Sequence, residues 1–118
     1  MNLFKNIVFG FFLVTTATLG LGHSAMAAVL TDSNGMTVYT FDEDQGGVSS
    51  CYDSCAQAWP PVLANGQSLD APFAEVARKD GSEQLTYDGK PIYTFSGDSA
   101  PGQTHGDGLD GTWHVIQK

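Results

Sequence analysis

Apolar and polar residues alternate across Met36–Phe41. Thr37, Tyr39 and Phe41 fall on one side of an extended chain, and Met36, Val38 and Thr40 on the other. Both sides are partly apolar, which predicts a strand covered on two faces. Val29 to Thr31 is expected as a short strand before it, with Asp32-Ser33-Asn34-Gly35 as the turn; Asp42-Glu43-Asp44 and Gly46-Gly47 end the second strand. Further on, Phe73 to Arg78, Glu83 to Tyr87 and Ile92 to Phe95 are divided by Asp80-Gly81 and Asp88-Gly89. That pattern predicts a three-stranded antiparallel meander, with Pro91 at a strand start or on an edge because it lacks an N–H. Thr112 to Gln117 is expected as a last strand, with Trp113 and Val115 on one face. Only Ser49 to Trp59 predicts a helix: Ser50 and Asp53 form an S-x-x-D capping box, and Pro60-Pro61 stops it. The expected fold is mainly β, a small antiparallel sheet domain with one short helix.

The pattern is used twice. Tyr39-Thr40-Phe41 followed by Asp44 returns as Tyr93-Thr94-Phe95 followed by Asp98. The approach repeats as well, Leu30-Thr31, Gly35 and Val38 answering Leu85-Thr86, Gly89 and Ile92, with one residue dropped in the second copy. Such self-similarity means that one strand–turn–strand unit occurs as two related copies. In each copy the tyrosine and phenylalanine are two residues apart and share a strand face. They are expected to be core anchors, the phenol finding a polar partner, with Asp44 and Asp98 closing the following turns through side-chain-to-backbone hydrogen bonds. The competing reading makes Tyr39, Phe41, Asp44, Tyr93, Phe95 and Asp98 a paired ligand site.

The chain begins with a targeting pattern. Lys5 precedes the apolar run Ile7 to Leu21, and Ala25-Met26-Ala27 is a small-residue cleavage site. Residues 1–27 therefore read as a secretory signal peptide, and 28–118 as one exported domain with no stable membrane span after cleavage. All thirteen acidic residues follow Ala27, against four basic ones there: Arg78, Lys79, Lys90 and Lys118. A surface so acidic suits solubility or cation binding and argues against nucleic acid as a partner, whose backbone is held by Lys and Arg.

Cys51 and Cys55 are the two cysteines, and export favours a disulfide between them. Regular helix geometry holds residues four apart at about 5–6 Å between Cβ atoms, farther than the roughly 3.5–4.5 Å of a disulfide. A bridge therefore requires Cys51 to lie in a distorted or not yet helical turn. Two alternatives use the same pair: a redox-active dithiol at a helix N-terminus, and a copper or zinc site completed by His105 or His114. His105 lies in a long glycine-rich loop, Gly97 through Gly111. His114 sits between Trp113 and Val115 on the last strand, with an outward direction expected. The acidic loops match neither an EF-hand nor a calcium-binding repeat, and no nucleophile elbow, zinc-protease motif or phosphate-binding loop occurs. Nothing in these residues builds a catalytic set.

Several segments together resemble a bacterial secreted-repeat family, also described as predicted lipoproteins with a conserved Y-x-(F/W/Y)-x-x-D motif. The two motif copies carry the resemblance. So do Cys51-Tyr52-Asp53-Ser54-Cys55-Ala56 with Trp59-Pro60-Pro61, Arg78-Lys79-Asp80-Gly81 with Gln84, Thr86-Tyr87-Asp88-Gly89-Lys90-Pro91-Ile92-Tyr93, and the closing Pro101-Gly102, Gly106, Gly108 and Gly111-Thr112-Trp113. This chain has no cysteine at the cleavage site to carry a lipid. The resemblance implies a small exported protein without assigned catalytic residues. The expected function is a non-enzymatic binding or structural protein of the cell envelope or extracellular space, periplasmic or extracellular, acting on an unknown ligand or envelope protein. The alternative is a copper-binding or thiol-redox protein using Cys51, Cys55 and His105. Intact-mass measurement of the exported protein should give a chain beginning at Ala28; a chain retaining Met1 would show that residues 1–27 are not removed.

Overall fold

The computed structural model describes residues 28–118; the signal-peptide reading falls outside them. The described chain is mainly β. Strand β1 (Tyr39–Phe41) is followed by the short helix α1 (Ser54–Ala58), then β2 (Phe73–Ala77), β3 (Glu83–Tyr87), β4 (Lys90–Pro91), a 3-10 turn at Leu109–Gly111, and β5 (Trp113–Val115). They form two small antiparallel sheets, β1 with β5 and β2-β3-β4.

The repeat governs the architecture, but the two copies do not fold side by side as separate units. In the first copy the backbone N–H of Val38 donates to Leu30, and in the second that of Ile92 donates to Leu85, both at 3.1 Å. These are the two expected hairpins. Each is then completed by a strand from the opposite half. Leu30 donates to Ile116 and Leu85 to Val62, both at 2.8 Å; Lys118 donates to Ala28 and Ala64 to Glu83. Tyr39 lies opposite Val115, and Tyr93 opposite Pro61. The halves have exchanged their closing strands about an approximate dyad. At that dyad Tyr39 and Tyr93 exchange both backbone hydrogen bonds, at 2.8 and 3.0 Å.

The two-sided strand pattern is explained by two cores. Val38 and Ile92 face a cluster with Leu30, Ala64 and Leu85, edged by Val62, Leu69, Phe73 and Ile116. Their sequence neighbours Tyr39 and Tyr93 face the opposite way, into a cluster with Cys51, Trp59 and Trp113, edged by Phe41 and Phe95. Adjacent residues on an extended chain point to opposite faces, so one strand from each half serves both cores.

Two local expectations are corrected. The helix spans Ser54–Ala58, not Ser49 to Trp59, and its N-cap Asp53 makes no side-chain capping bond. Competing tertiary bonds take the residues meant to begin it. Ser50 donates its N–H and its hydroxyl to Asp44 Oδ1, both at 2.8 Å, while Ser49 is buried and bonded to Tyr93. The third strand of the meander is short, Lys90–Pro91, with one further bond from Ile92 to Leu85. Beyond it, Tyr93 leaves β3 to pair with Tyr39 and Pro61, because its side chain belongs to the aromatic core. Pro91 falls on the outer strand of its sheet, where a missing N–H costs no ladder bond.

The Cys51–Cys55 bridge lies within one half, so the halves are joined covalently only through the intervening chain. A protease site inserted after Gln67 in the 65–72 loop, then cut in the folded protein, should leave two fragments that co-elute under native conditions and separate in denaturant. Separation under native conditions would contradict the strand exchange.

Candidate functional site

The six motif residues meet at the dyad, in a crossed arrangement. The Tyr39 hydroxyl donates to Asp98 Oδ2 at 2.6 Å, and the Tyr93 hydroxyl donates to Asp44 Oδ2 at 2.7 Å. Each tyrosine is thus bonded to the aspartate of the other copy. The crossing was not expected, while each aspartate also accepts a backbone N–H from the loop after its own strand, Ser50 at Asp44 Oδ1 and His105 at Asp98 Oδ1. The tight turns are closed by backbone, Asp44 donating to Phe41 and Asp98 to Phe95, and Oδ2 of each carboxylate meets a phenol.

Each phenol lies within a directed chain. A guanidinium only donates and a carboxylate only accepts, so the proton order follows from the partners. Arg78 Nη1 donates to Ser49 Oγ at 2.9 Å, Ser49 lies 2.6 Å from the Tyr93 oxygen, and Tyr93 donates to Asp44. On the other side the Gly106 N–H donates to the Tyr39 oxygen at 3.2 Å, and Tyr39 donates to Asp98. Asp98 Oδ1 also accepts from the His105 N–H at 2.9 Å. Burial, and then the bond to Asp98, push the Tyr39 hydroxyl above the ordinary phenol range. Burial raises Tyr93 too; Asp44 adds to the rise, while the Ser49 bond works against it.

Arg78 is buried without a carboxylate in direct contact. Its guanidinium bonds to Ser49 Oγ, Gln84 Oε1 and the Cys51 carbonyl, and its carbon lies 4.3 Å from the centre of the Tyr52 ring. Three neutral acceptors and a π face hold this charge. The nearest carboxylate along its bonds is Asp44, reached through Ser49 and Tyr93.

Between the tyrosines four rings stack in a column. Phe41 lies on Trp113 (4.1 Å between ring centres), Trp113 on Trp59 (3.7 Å, 2° between planes) and Trp59 on Phe95 (4.3 Å). Tyr39 meets Trp59 edge-on, and Tyr93 meets Trp113 edge-on, each at 5.3 Å. Gly106 lies against this column, where an added Cβ would come within 2.6 Å of Trp59. The tryptophans, Arg78 and Ser49 were not among the sequence candidates. One signal was legible: Trp59 follows Tyr39 at the same spacing as Trp113 follows Tyr93. Ser49 and Arg78 had no such signal.

The cysteines and histidines do not gather into one group among the described residues. Cys51 and Cys55 form a disulfide with Cα atoms 5.3 Å apart, and Cys51 lies ahead of the helix rather than in its first turn. His105 is exposed in the glycine-rich loop, its Nδ1 3.2 Å from the Gly97 carbonyl oxygen and 3.5 Å from Asp98 Oδ1, so the structure pairs it with Asp98. His114 Nε2 meets Asp42 Oδ2 at 2.8 Å on the surface. Among the described residues no three or more His, Cys, Asp or Glu side chains gather as a metal-binding group. No helix among them is long and apolar enough to cross a membrane.

A cleft of about 740 Å³ lies away from the dyad against the aliphatic core. Pro61, Val62, Leu63, Phe73, Leu85 and Ile92 make its apolar walls; Asp32, Asn34, Asn65, Gln67, Ser68 and Asp70 make its polar edge. Much of it is built by residues 65–73, which join the two copies and have no counterpart in the repeat.

Fold and site together define an internally duplicated β domain closed by reciprocal tyrosine–aspartate bonds. The chain belongs to a family described as a secreted repeat of unknown function, whose profile matches residues 24–63 and 74–117. The two matched stretches contain the two copies. No curated protein and no solved structure matches the chain.

Raised phenol pKa values carry a linkage with a definite sign. The unfolded chain releases these protons near the ordinary value of about 10, and the folded chain releases them higher. Their contribution to stability is therefore fully present below pH 10 and is lost as pH rises through the folded values. Ultraviolet titration of the native protein should show no tyrosinate from Tyr39 or Tyr93 until alkaline unfolding begins. Arg78→Met should destabilise the fold by roughly 2–5 kcal/mol in urea melts, since Gln84 Oε1 and the Cys51 carbonyl lose a buried donor.

Proposed function

We propose that this protein is a small exported binding protein whose ligand occupies the cleft formed by the 65–73 segment. The observation carrying this reading is the cleft itself: about 740 Å³ with aliphatic and aromatic walls and a polar edge, within the roughly 300–1,000 Å³ range of small-molecule sites. The charged residues on its lining are Asp32 and Asp70. A ligand with an apolar body and a neutral or cationic head fits that lining, while an anionic head would meet two carboxylates. Leu63, partly exposed, offers apolar contact at the wall. In this reading the duplicated halves supply the rigid frame, and the unrepeated segment supplies recognition.

The test is fluorescence binding with a neutral naphthylamine probe, followed by displacement with amphiphiles of equal chain length. Probe emission should rise on binding, and the cationic amphiphile should displace it at a concentration about tenfold lower than the anionic one, a difference of about 1.4 kcal/mol. Asp70→Asn should narrow the preference, and Leu63→Glu should weaken probe binding. Lack of any emission change with the unmodified protein would overturn the proposal.

A further inference from the structure

We propose that the aromatic column at the dyad is a one-electron relay that ends at Tyr39. Packing alone accounts for stacked rings, but it does not call for two buried phenols each aimed at a carboxylate. Indole and phenol are the side chains most readily oxidised by one electron among those in this core. Here two indoles lie in contact at 3.7 Å, and each meets a tyrosine edge-on at 5.3 Å. A phenol becomes strongly acidic when it loses an electron, so its oxidation needs a proton acceptor already in place. Asp98 Oδ2 at 2.6 Å meets that need without motion.

The two ends of the relay differ. Beside Tyr93, Arg78 is buried and bonded to Ser49, which bonds to the tyrosine oxygen. Proton transfer from Tyr93 would neutralise Asp44, the carboxylate that ends Arg78's own hydrogen-bond chain, and would leave the buried cation uncompensated. The Tyr39 oxygen instead takes a backbone N–H from Gly106, and Asp98 borders His105, whose side chain is 62% exposed. Electrostatics therefore favours the oxidised site at Tyr39.

The co-reactant is a soluble outer-sphere one-electron oxidant, such as a high-potential metal complex. It takes one electron from the Trp59–Trp113 pair and is reduced by one unit. An electron from Tyr39 refills the pair as the Tyr39 O–H bond breaks and its proton forms an O–H bond on Asp98 Oδ2. The products are the reduced oxidant, a neutral tyrosyl radical at Tyr39 and a neutral Asp98 carboxylic acid.

Photogenerated tris(bipyridine)ruthenium(III), applied to the intact exported protein with detection by transient absorption and electron paramagnetic resonance, tests the step. A tryptophan radical should appear first and give way to a neutral tyrosyl radical, more slowly in deuterium oxide. The tyrosyl yield should fall about tenfold in Tyr39→Phe, because the phenol that ends the relay is gone. The double variant Tyr52→Phe with Tyr87→Phe keeps both rings, leaves Tyr39 and Tyr93 as the remaining tyrosines and should keep the signal. A folded Tyr39→Phe protein with full yield would place the radical elsewhere and overturn the proposal. Loss of the signal in that double variant would also overturn it, since both residues lie outside the relay.

Discussion

The crossed tyrosine–aspartate bonds set the terms for the rest of the structure. A phenol carried to the centre of a small β domain loses its water and must find an acceptor, and a carboxylate brought beside it must find donors. Each half of this chain supplies one of each, but its own aspartate, held in the turn directly after its own strand, is bonded to the other half's tyrosine. Each phenol therefore finds its carboxylate only across the dyad. That geometry fits the exchange of closing strands, which interlocks the halves so that neither hairpin is complete alone. It also brings Trp59 and Trp113 face to face at the dyad, because each tryptophan begins the closing strand that its half lends to the other.

Asymmetry is laid over this frame and carries the chemistry. Around Tyr93 the chain adds Ser49, Arg78 and the disulfide-bearing turn; around Tyr39 it adds Gly106 and the glycine-rich loop with His105. The same phenol–carboxylate pair is thereby placed beside a buried cation on one side and a solvent-bordered histidine on the other. A third departure from the repeat, the 65–73 segment, lines much of the cleft against the aliphatic core. Binding and electron transfer, as proposed, draw on separate parts of the domain, and the frame between them holds both in place.

Much of the fold was legible from alternation and turn residues, since these are local. The hairpins around Gly35 and Gly89, the two-faced strand at Met36–Phe41 and the late strand carrying Trp113 all follow from side-chain period and backbone preference. The helix start misled because S-x-x-D is a local capping signal, whereas Ser49 is drawn to Tyr93, remote in sequence, and Ser50 to Asp44 in the preceding turn. The meander's third strand misled for a similar reason: Tyr93 pairs with Tyr39 and packs its ring on Trp113, both remote in sequence.

The sequence by itself determined the duplication, the mainly β character, the family and the identity of the motif residues, because spacing and residue type are written along the chain. It could place Tyr39 and Phe41 on one face, and Tyr93 and Phe95 on another. Tertiary structure alone decided that each tyrosine pairs with the aspartate of the opposite copy, that the tryptophans stack, and that Arg78 is buried among neutral acceptors. Those outcomes depend on which half lends its closing strand to which hairpin, and a periodic pattern is the same whether a unit closes on itself or on its twin.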